Sequence, residues 1–320
     1  MTLLEIKNLN VVYKSKRGLI SKEQTVHAVN GVSLDIEKGE ILAIAGESGC
    51  GKSTLAKAVM KLVPVKSGEI LLNGKNILNL KTRTEIKDYY QHVQIIFQNP
   101  YSSLNPKMKI GNILKEPLEI NTNLDKKEIN KIIEDKINKV GLDNSVLDRY
   151  PHEFSGGQRQ RIAIARSLIL SPEFIIADEP VSALDVSIQA QIINLLKQLK
   201  DDFNLTFLFI SHDLSVIKYL SDRIAIMYLG EIVEIGKTEE IFENPKHPYT
   251  KALLSSVPEL SPENKKEKVA LQGELPSPEE LPSGCKFHTR CPFVMEKCKT
   301  ECPLDIEISK THNCKCFLIK

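Results

Sequence analysis

The sequence predicts an α/β fold in which a mostly parallel sheet gathers polar residues at its carboxyl edge. Beside that sheet stand an antiparallel β layer, an inserted helical segment and a cysteine-rich tail. Three observations predict this. Residues 40–62 read in succession as a short apolar strand, a glycine-rich loop and a helix with Leu55, Ala58, Val59 and Leu62 at helical spacing. The apolar runs Val93–Phe97, Phe174–Ala177 and Thr206–Ile210 lead into Gln98, Asp178-Glu179 and His212, where α/β sheets place ligand contacts. Of seven cysteines, Cys50 lies in the glycine loop and the others crowd between Cys285 and Cys316.

A length of 320 residues holds two domains, or one large domain with an appendage. Apolar content of 42% and charged content of 26% are those of a soluble globular protein. A net charge of +2 supplies no basic field, which argues against a nucleic-acid partner. The opening MTLLEIKNLN carries Glu5 and Lys7 and has no signal-peptide core, and no apolar run approaches the ~18 residues of a spanning helix. These features point to the cytoplasm, with peripheral attachment to a membrane partner left open. In that compartment a cysteine cluster reads as metal ligation before it reads as disulfides.

Taken in order, residues 3–13 form an opening strand that ends at Tyr13, a residue suited equally to stacking on adenine or to packing in the core. A basic insert follows at 14–23. Next comes a strand pair, 27–29 and 32–36, turning at Asn30-Gly31. The loop Gly46-Glu47-Ser48-Gly49-Cys50-Gly51-Lys52-Ser53-Thr54 fits G-x-x-x-x-G-K-[ST], and the flanking strand and helix supply the context that motif requires. Glycines let backbone N–H groups turn toward phosphate oxygens, and the helix start adds a favourable dipole. Lys52 then reaches the β- and γ-phosphates, and the Ser53 hydroxyl holds Mg²⁺.

Residues 67–74 read as turn, strand and turn. Gln98 is either a ligand contact at a strand end or the start of a loop. A helical subdomain occupies about 99–165: Asp125 and Glu128 form a capping box, Ile129, Ile132, Ile133, Ile137 and Val140 mark one face, and Gly141 caps the end. Ser155-Gly156-Gly157-Gln158 opens the next helix as a second anion-binding terminus. Asp178 suits a water-mediated Mg²⁺ ligand, and Glu179 suits a base acting on the water that attacks the γ-phosphate. Ser182–Asp185 turns into a further helix. His212 ends the following strand, so several polar groups meet at one sheet edge, as in an active site.

The set GESGCGKST, Gln98, FSGGQRQR, FIIADEP, SALD and SHD, in this order and spacing, resembles the ATP-binding subunit of an ABC transporter over roughly residues 1–255. The resemblance implies that family's phosphate-loop core with its antiparallel β layer. It implies that Tyr13, Gly46–Thr54, Gln98 and Asp178 bind ATP, with Mg²⁺ held through Ser53, Gln98 and Asp178. Glu179 becomes the catalytic base, and His212 the switch at the γ-phosphate. Ser155, Gly156, Gly157 and Gln158 would cover an ATP on the opposite subunit, with Asp185 beside them, so the working unit is a dimer. Phe154 departs from the Leu common in the family, a conservative apolar change. FQNPYSSLNPKMKIGNIL and FENPKHPYTKALLSSVPEL narrow the resemblance to the oligopeptide/dipeptide importers, and the insert at 14–23 with Cys50 resembles the second ATPase of their pair. That implies a paralogous ATPase partner, two membrane-spanning permease subunits, an extracytoplasmic binding protein and a place on the cytoplasmic face of the membrane. Nickel and glutathione importers share the same engine. A soluble ABC protein acting on DNA or ribosomes would need tandem halves, a long coiled coil or a basic face, none of which is visible.

Residues 256–283, with Pro258, Pro262, Pro276, Pro278 and Pro282, have linker composition. The tail, 284–320, resembles the C-terminal extension of the same importers. By spacing alone its thiols suit either Zn²⁺ or iron–sulfur, since neither the C-x₂-C zinc knuckle nor the tight ferredoxin run is present. The resemblance places a 4Fe–4S cluster on Cys285, Cys291, Cys298 and Cys316, with Cys302 and Cys314 as extra thiols.

Overall fold

The computed structural model describes residues 1–15, 24–99, 103–255 and 273–319. Most of the basic insert, Pro100-Tyr101-Ser102 and the greater part of the proline-rich linker lie outside the described residues. Strands are β1 Thr2–Ser15, β2 Gln24–Glu37, β3 Ile41–Ala45, β4 Ser67–Leu72, β5 Lys75–Asn76 and β6 Val93–Ile96, followed by β7 Phe174–Asp178, β8 Thr206–Ile210, β9 Arg223–Tyr228, β10 Glu231–Lys237, β11 Ile306–Ser309 and β12 His312–Cys314. Helices are α1 Lys52–Val59, α2 Arg83–His92, α3 Ile110–Asn121, α4 Lys126–Lys139 and α5 Gly156–Leu168, then α6 Val186–Phe203, α7 Leu214–Leu220, α8 Thr238–Glu243, α9 Pro248–Ser255 and α10 Glu296–Thr300. None of them is long and apolar enough to cross a membrane, among the described residues.

The chain divides into two compact units. The first, here the loop unit, holds residues 2–36, 41–78 and 211 onward. Its antiparallel layer runs β2-β1-β4-β5, with Ile6 opposite Ile70. Asn73 and Gly74, at φ 49° and 78°, close the β4–β5 hairpin as the primed turns favoured between twisted strands do. In the other layer the fully buried β3 pairs in parallel with β9, and β9 pairs antiparallel with β10. The tail then adds β12 and β11 in turn, with Cys314 opposite Glu234 and Ile306 opposite Cys314. Residues that look detached in the sequence thus continue the same sheet.

One expectation is corrected here. Asn30-Gly31 does not turn a strand pair, because β2 runs unbroken through it. Gly31 takes φ 63° within the strand and donates its N–H to Asn10 Oδ1, while the Asn30 N–H goes to the Gly230 carbonyl. A left-handed glycine inside a paired strand makes a local kink rather than a reversal.

The second unit, residues 37–40 and 79–210 with Met1, carries the parallel strands β6-β7-β8. Ile95 lies opposite Ile176, and Ile176 opposite Leu208. The helical segment α3–α5 belongs to it. Asp125 accepts from the N–H groups of Lys127 and Glu128, and Glu128 reaches back to the Asp125 N–H, so α4 starts at the expected capping box. Ile129, Ile133 and Ile137 are buried along one face, and Gly141 ends the helix at φ 73°.

Candidate functional site

The predicted phosphate loop joins β3 to α1 in the loop unit. A Cβ on Gly46 would lie 2.2 Å from the Met227 carbonyl oxygen, and one on Gly51 would lie 2.2 Å from that of Ala28. Both are backbone atoms of paired strands, so only glycine fits at either place. Gly51 also takes φ 110° and caps α1 without a side-chain hydrogen bond, so the first turn of the helix carries no side-chain cap. Lys52 is 5% exposed, and its Nζ donates to the carbonyls of Gly46 at 2.8 Å and Glu47 at 3.0 Å. Its third neighbour is Cys50 Sγ at 3.8 Å, a weak acceptor that a phosphate oxygen outcompetes. Burial raises the Cys50 thiol pKa above its ordinary value, which keeps a second negative charge out of the loop. Ser48 and Gly49 form the exposed tip, while Ser53 and Thr54 are half-buried in the first turn of α1. Tyr13 is half-buried in β1. His212 is exposed at the end of the segment following β8, between Ser211, whose N–H bonds the Ile44 carbonyl, and Asp213, which caps α7 through Ser215 and Val216.

Two contacts to this loop have no local signal in the sequence. Tyr249 Oη, on α9, accepts from the Glu47 N–H at 2.9 Å. Arg290, in the tail, donates from Nη1 to both Glu47 carboxylate oxygens at 2.9 and 3.1 Å. Tyr228, Tyr249 and Phe287 pack edge-on or tilted around this pair, with centroids 4.7–5.4 Å apart.

In the other unit, buried Asp178 ends β7 and half-buried Glu179 follows it. Glu179 adopts φ 47°, a left-handed conformation uncommon for a residue with a Cβ and typical of strained functional positions. The strain is held by backbone bonds: its N–H donates to the Ile210 carbonyl, and its carbonyl accepts from the Ser182 N–H and hydroxyl. Gln98 Nε2 donates to Glu179 Oε2 at 2.9 Å, which places these two candidates in direct contact. Ser155 and Gln158 are exposed and cap each other reciprocally at the start of α5. A Cβ on Gly157 would meet Ile188 Cγ2 at 2.6 Å, so α5 begins hard against α6. Asp185 is exposed at the N-cap of α6, followed by Val186 at 82% exposure. Gln189, unremarked in the sequence, ties the turn by donating to the Val181 and Leu184 carbonyls.

In the tail, Cys285, Cys291, Cys298 and Cys316 line one cavity together with Phe287, Phe293, Met295 and Phe317. Cys302 is exposed and donates to the Gly284 carbonyl, and Cys314 is buried in the β10–β12 pairing; neither lines the cavity. Burial, reinforced by the other three thiols, pushes the Cys285 pKa up to about 11. Among the described residues no group of three or more His, Cys, Asp or Glu is gathered tightly enough to hold a metal ion. The donor type is therefore right for a soft metal group, but the sulfurs stand apart around the cavity rather than about one centre.

Residues 29–182 match the family described as ABC transporter, and residues 233–298 match the C-terminal region of oligopeptide/dipeptide transporters. The oligopeptide transport ATP-binding protein AppF of Bacillus subtilis is 48% identical, covering 99% of this chain and 97% of its own. The dipeptide transport ATP-binding protein DppF of Haemophilus influenzae is 51% identical over 94% of this chain and 92% of its own. Among solved structures, a dimeric ATP-binding cassette in a post-hydrolysis state with ADP and Pi superposes with a TM-score of 0.65 at 28% identity, over 74% of this chain and 99% of that one.

Proposed function

Because this chain belongs to the ATP-binding subunits of oligopeptide/dipeptide ABC transporters, we propose that it powers uptake of small peptides from a site completed by a second ATPase subunit. It is an ATPase whose hydrolysis is coupled to transport, using ATP with Mg²⁺. The observation that carries the peptide reading is the likeness along the whole chain, cassette and tail together, to subunits named for di- and oligopeptide transport.

In this reading Gly46–Thr54 hold the triphosphate, with Lys52 turning its third donor to a phosphate oxygen and Tyr13 against the adenine. Ser53, Gln98 and Asp178 would hold Mg²⁺, which would supply charge neutralisation at the transferred phosphoryl group. Glu179 takes a proton from the attacking water at Oε1 while Gln98 keeps Oε2 engaged, so the base is oriented before the water arrives. His212 senses the γ-phosphate. Ser155–Gln158 and Asp185 serve an ATP on a paralogous partner, a role supported by the exposure of Ser155, Gln158 and Asp185 and of Val186 next to Asp185.

Permease docking finds support in a groove lined by Tyr90, Phe97, Pro117 and Ile120, the last 59% exposed, with Glu116 and Arg166 among its polar residues. Such a groove suits an amphipathic helix from a membrane subunit. The protein would then sit peripherally on the cytoplasmic face, below permeases fed by an extracytoplasmic binding protein. In this reading Cys285, Cys291, Cys298 and Cys316 would hold a 4Fe–4S cluster, a reading supported by their lining one cavity.

In the assembled transporter, E179Q is expected to keep ATP affinity and lose about 10²–10⁴-fold in turnover. Wild-type turnover would remove Glu179 from the role. A strain lacking the protein should fail to grow on di- or tripeptides as the source of a required amino acid. Normal peptide growth with lost nickel or glutathione uptake would reassign the cargo.

A further inference from the structure

Every polar group of Glu47 is held by a different part of the loop unit. Tyr249 Oη takes its N–H at 2.9 Å, Lys52 Nζ donates to its carbonyl at 3.0 Å, and Arg290 Nη1 grips its carboxylate at 2.9 and 3.1 Å. Arg290 is one residue from Cys291, and its side chain is 6% exposed against 26% for Glu47. Its guanidinium carbon lies 6.0 Å from the centre of the Tyr228 ring, which packs on Tyr249 and Phe287. Phe287 in turn lines the cavity of the four cysteines. A continuous set of contacts therefore joins the cysteine-rich tail to the first variable residue of the phosphate loop.

The charge of Glu47 makes that connection consequential. A carboxylate on a loop that binds a triphosphate repels its ligand unless it is neutralised, and the repulsion grows as water is excluded. Arg290 supplies the neutralising charge from a buried position, where the pair is little screened. It also fixes the side chain of the residue whose carbonyl holds Lys52 Nζ.

We propose that Arg290 is a positioning residue for nucleotide binding: the tail, through Arg290 and Glu47, sets the affinity of the phosphate loop for ATP. The proposal rests on the reading of Gly46–Thr54 as the ATP loop. It makes the tail part of the engine's binding step rather than an appendage beside it.

The test measures KM for ATP and kcat in the assembled transporter for wild type, R290M, R290K, E47Q and R290M/E47Q, with thermal melting of each. Methionine keeps the apolar stem against Tyr228 and removes only the charge and its hydrogen bonds. R290M is expected to raise KM about tenfold with kcat within about twofold. R290K should recover part of the loss, and E47Q in the R290M background should recover at least half, because the uncompensated carboxylate is gone. An unchanged KM in R290M overturns the proposal. So does a loss that E47Q does not relieve, or one that comes with a lowered melting temperature, since either traces the effect to unfolding of the tail. K52A separates the two readings. If K52A abolishes ATP binding while R290M does nothing, the proposal alone fails; if K52A leaves ATP affinity intact, the loop reading itself fails.

Discussion

The two helix starts that the sequence offers to phosphates are built in opposite ways. At α1 the N-cap is Gly51, left-handed, without a side-chain cap and pressed against the backbone of β2. At α5 the N-cap is Ser155, whose hydroxyl and whose partner Gln158 close the terminus reciprocally, on an exposed surface. The first terminus has no side-chain cap, which in the proposed reading lets it take a phosphate on its own. The second is self-satisfied, so a ligand reaches it only by arriving with other contacts that displace the internal cap. An ATP gripped by another subunit meets that requirement, and a free one does not.

The sharpest way to break this contrast is to substitute one residue at each terminus. G51A forces a Cβ to 2.2 Å from the Ala28 oxygen at φ 110°, and a drop in ATP affinity on the order of 100-fold is expected, read as KM or by direct binding. A near-normal affinity would mean that the loop is not held as described. S155A removes a cap worth about 1 kcal/mol and should act on kcat of the assembled transporter, with KM changed far less. If S155A instead raised KM as strongly as G51A, the two termini would not differ in role.

Acid sharpens the comparison from the loop side. His247 is fully buried, and its Nδ1 accepts the Tyr249 N–H, a bond that needs the neutral ring. Burial lowers its pKa from 6.5 to about 4, against the opposing charge of Glu234. The neutral form is thus favoured in the fold, while the unfolded chain takes up the proton first. Stability is full above about pH 6.5 and falls by roughly 3 kcal/mol as pH drops to about 4. Glu234, whose carboxyl is held below its ordinary value by His312 and by the N–H groups of Lys246 and His247, adds a further loss as it protonates below that range. Melting followed from pH 7.5 to 4.5 checks the slope, and H247N should flatten it. An equal slope in H247N would place the titration elsewhere.

The smallest expected effect lies behind the signature. Gln160, on α5, is fully buried with neither amide atom hydrogen-bonded among the described residues. Methionine has a similar length and no polar atoms, so Q160M should raise stability by about 1–2 kcal/mol. A lower melting temperature would show that the amide is satisfied after all.

What the sequence made legible was local chemistry. The strand–loop–helix of Gly46–Thr54, the capping box of Asp125 and Glu128 and the end at Gly141 each depend on residues within a few positions of one another. The gathering of Gln98 and Asp178-Glu179 was legible too, because polar residues at the ends of buried parallel strands share one edge. The contacts that were missed link distant positions. Glu47 and Tyr249 are 202 residues apart, and Glu47 and Arg290 are 243. An arginine beside a cysteine, or a tyrosine in a helix, gives no hint of a partner that far away. Asn30-Gly31 misled for the converse reason. Its dipeptide favours a reversal, but the Asn10 side chain and Gly230 backbone hold it in a continuous strand.

The strands that close the chain also decide how the molecule meets its neighbours in a crowded solution. β12 covers the outer backbone of β10, and β11 covers β12, presenting Glu307 on a short final strand. A chain cut before 284 would bare the N–H and C=O groups along one side of seven-residue β10, a template for another copy to pair with. It would also strip His312 from buried Glu234. Strands β12 and β11 thus work as a selvedge that keeps the backbone of β10 from pairing with another copy.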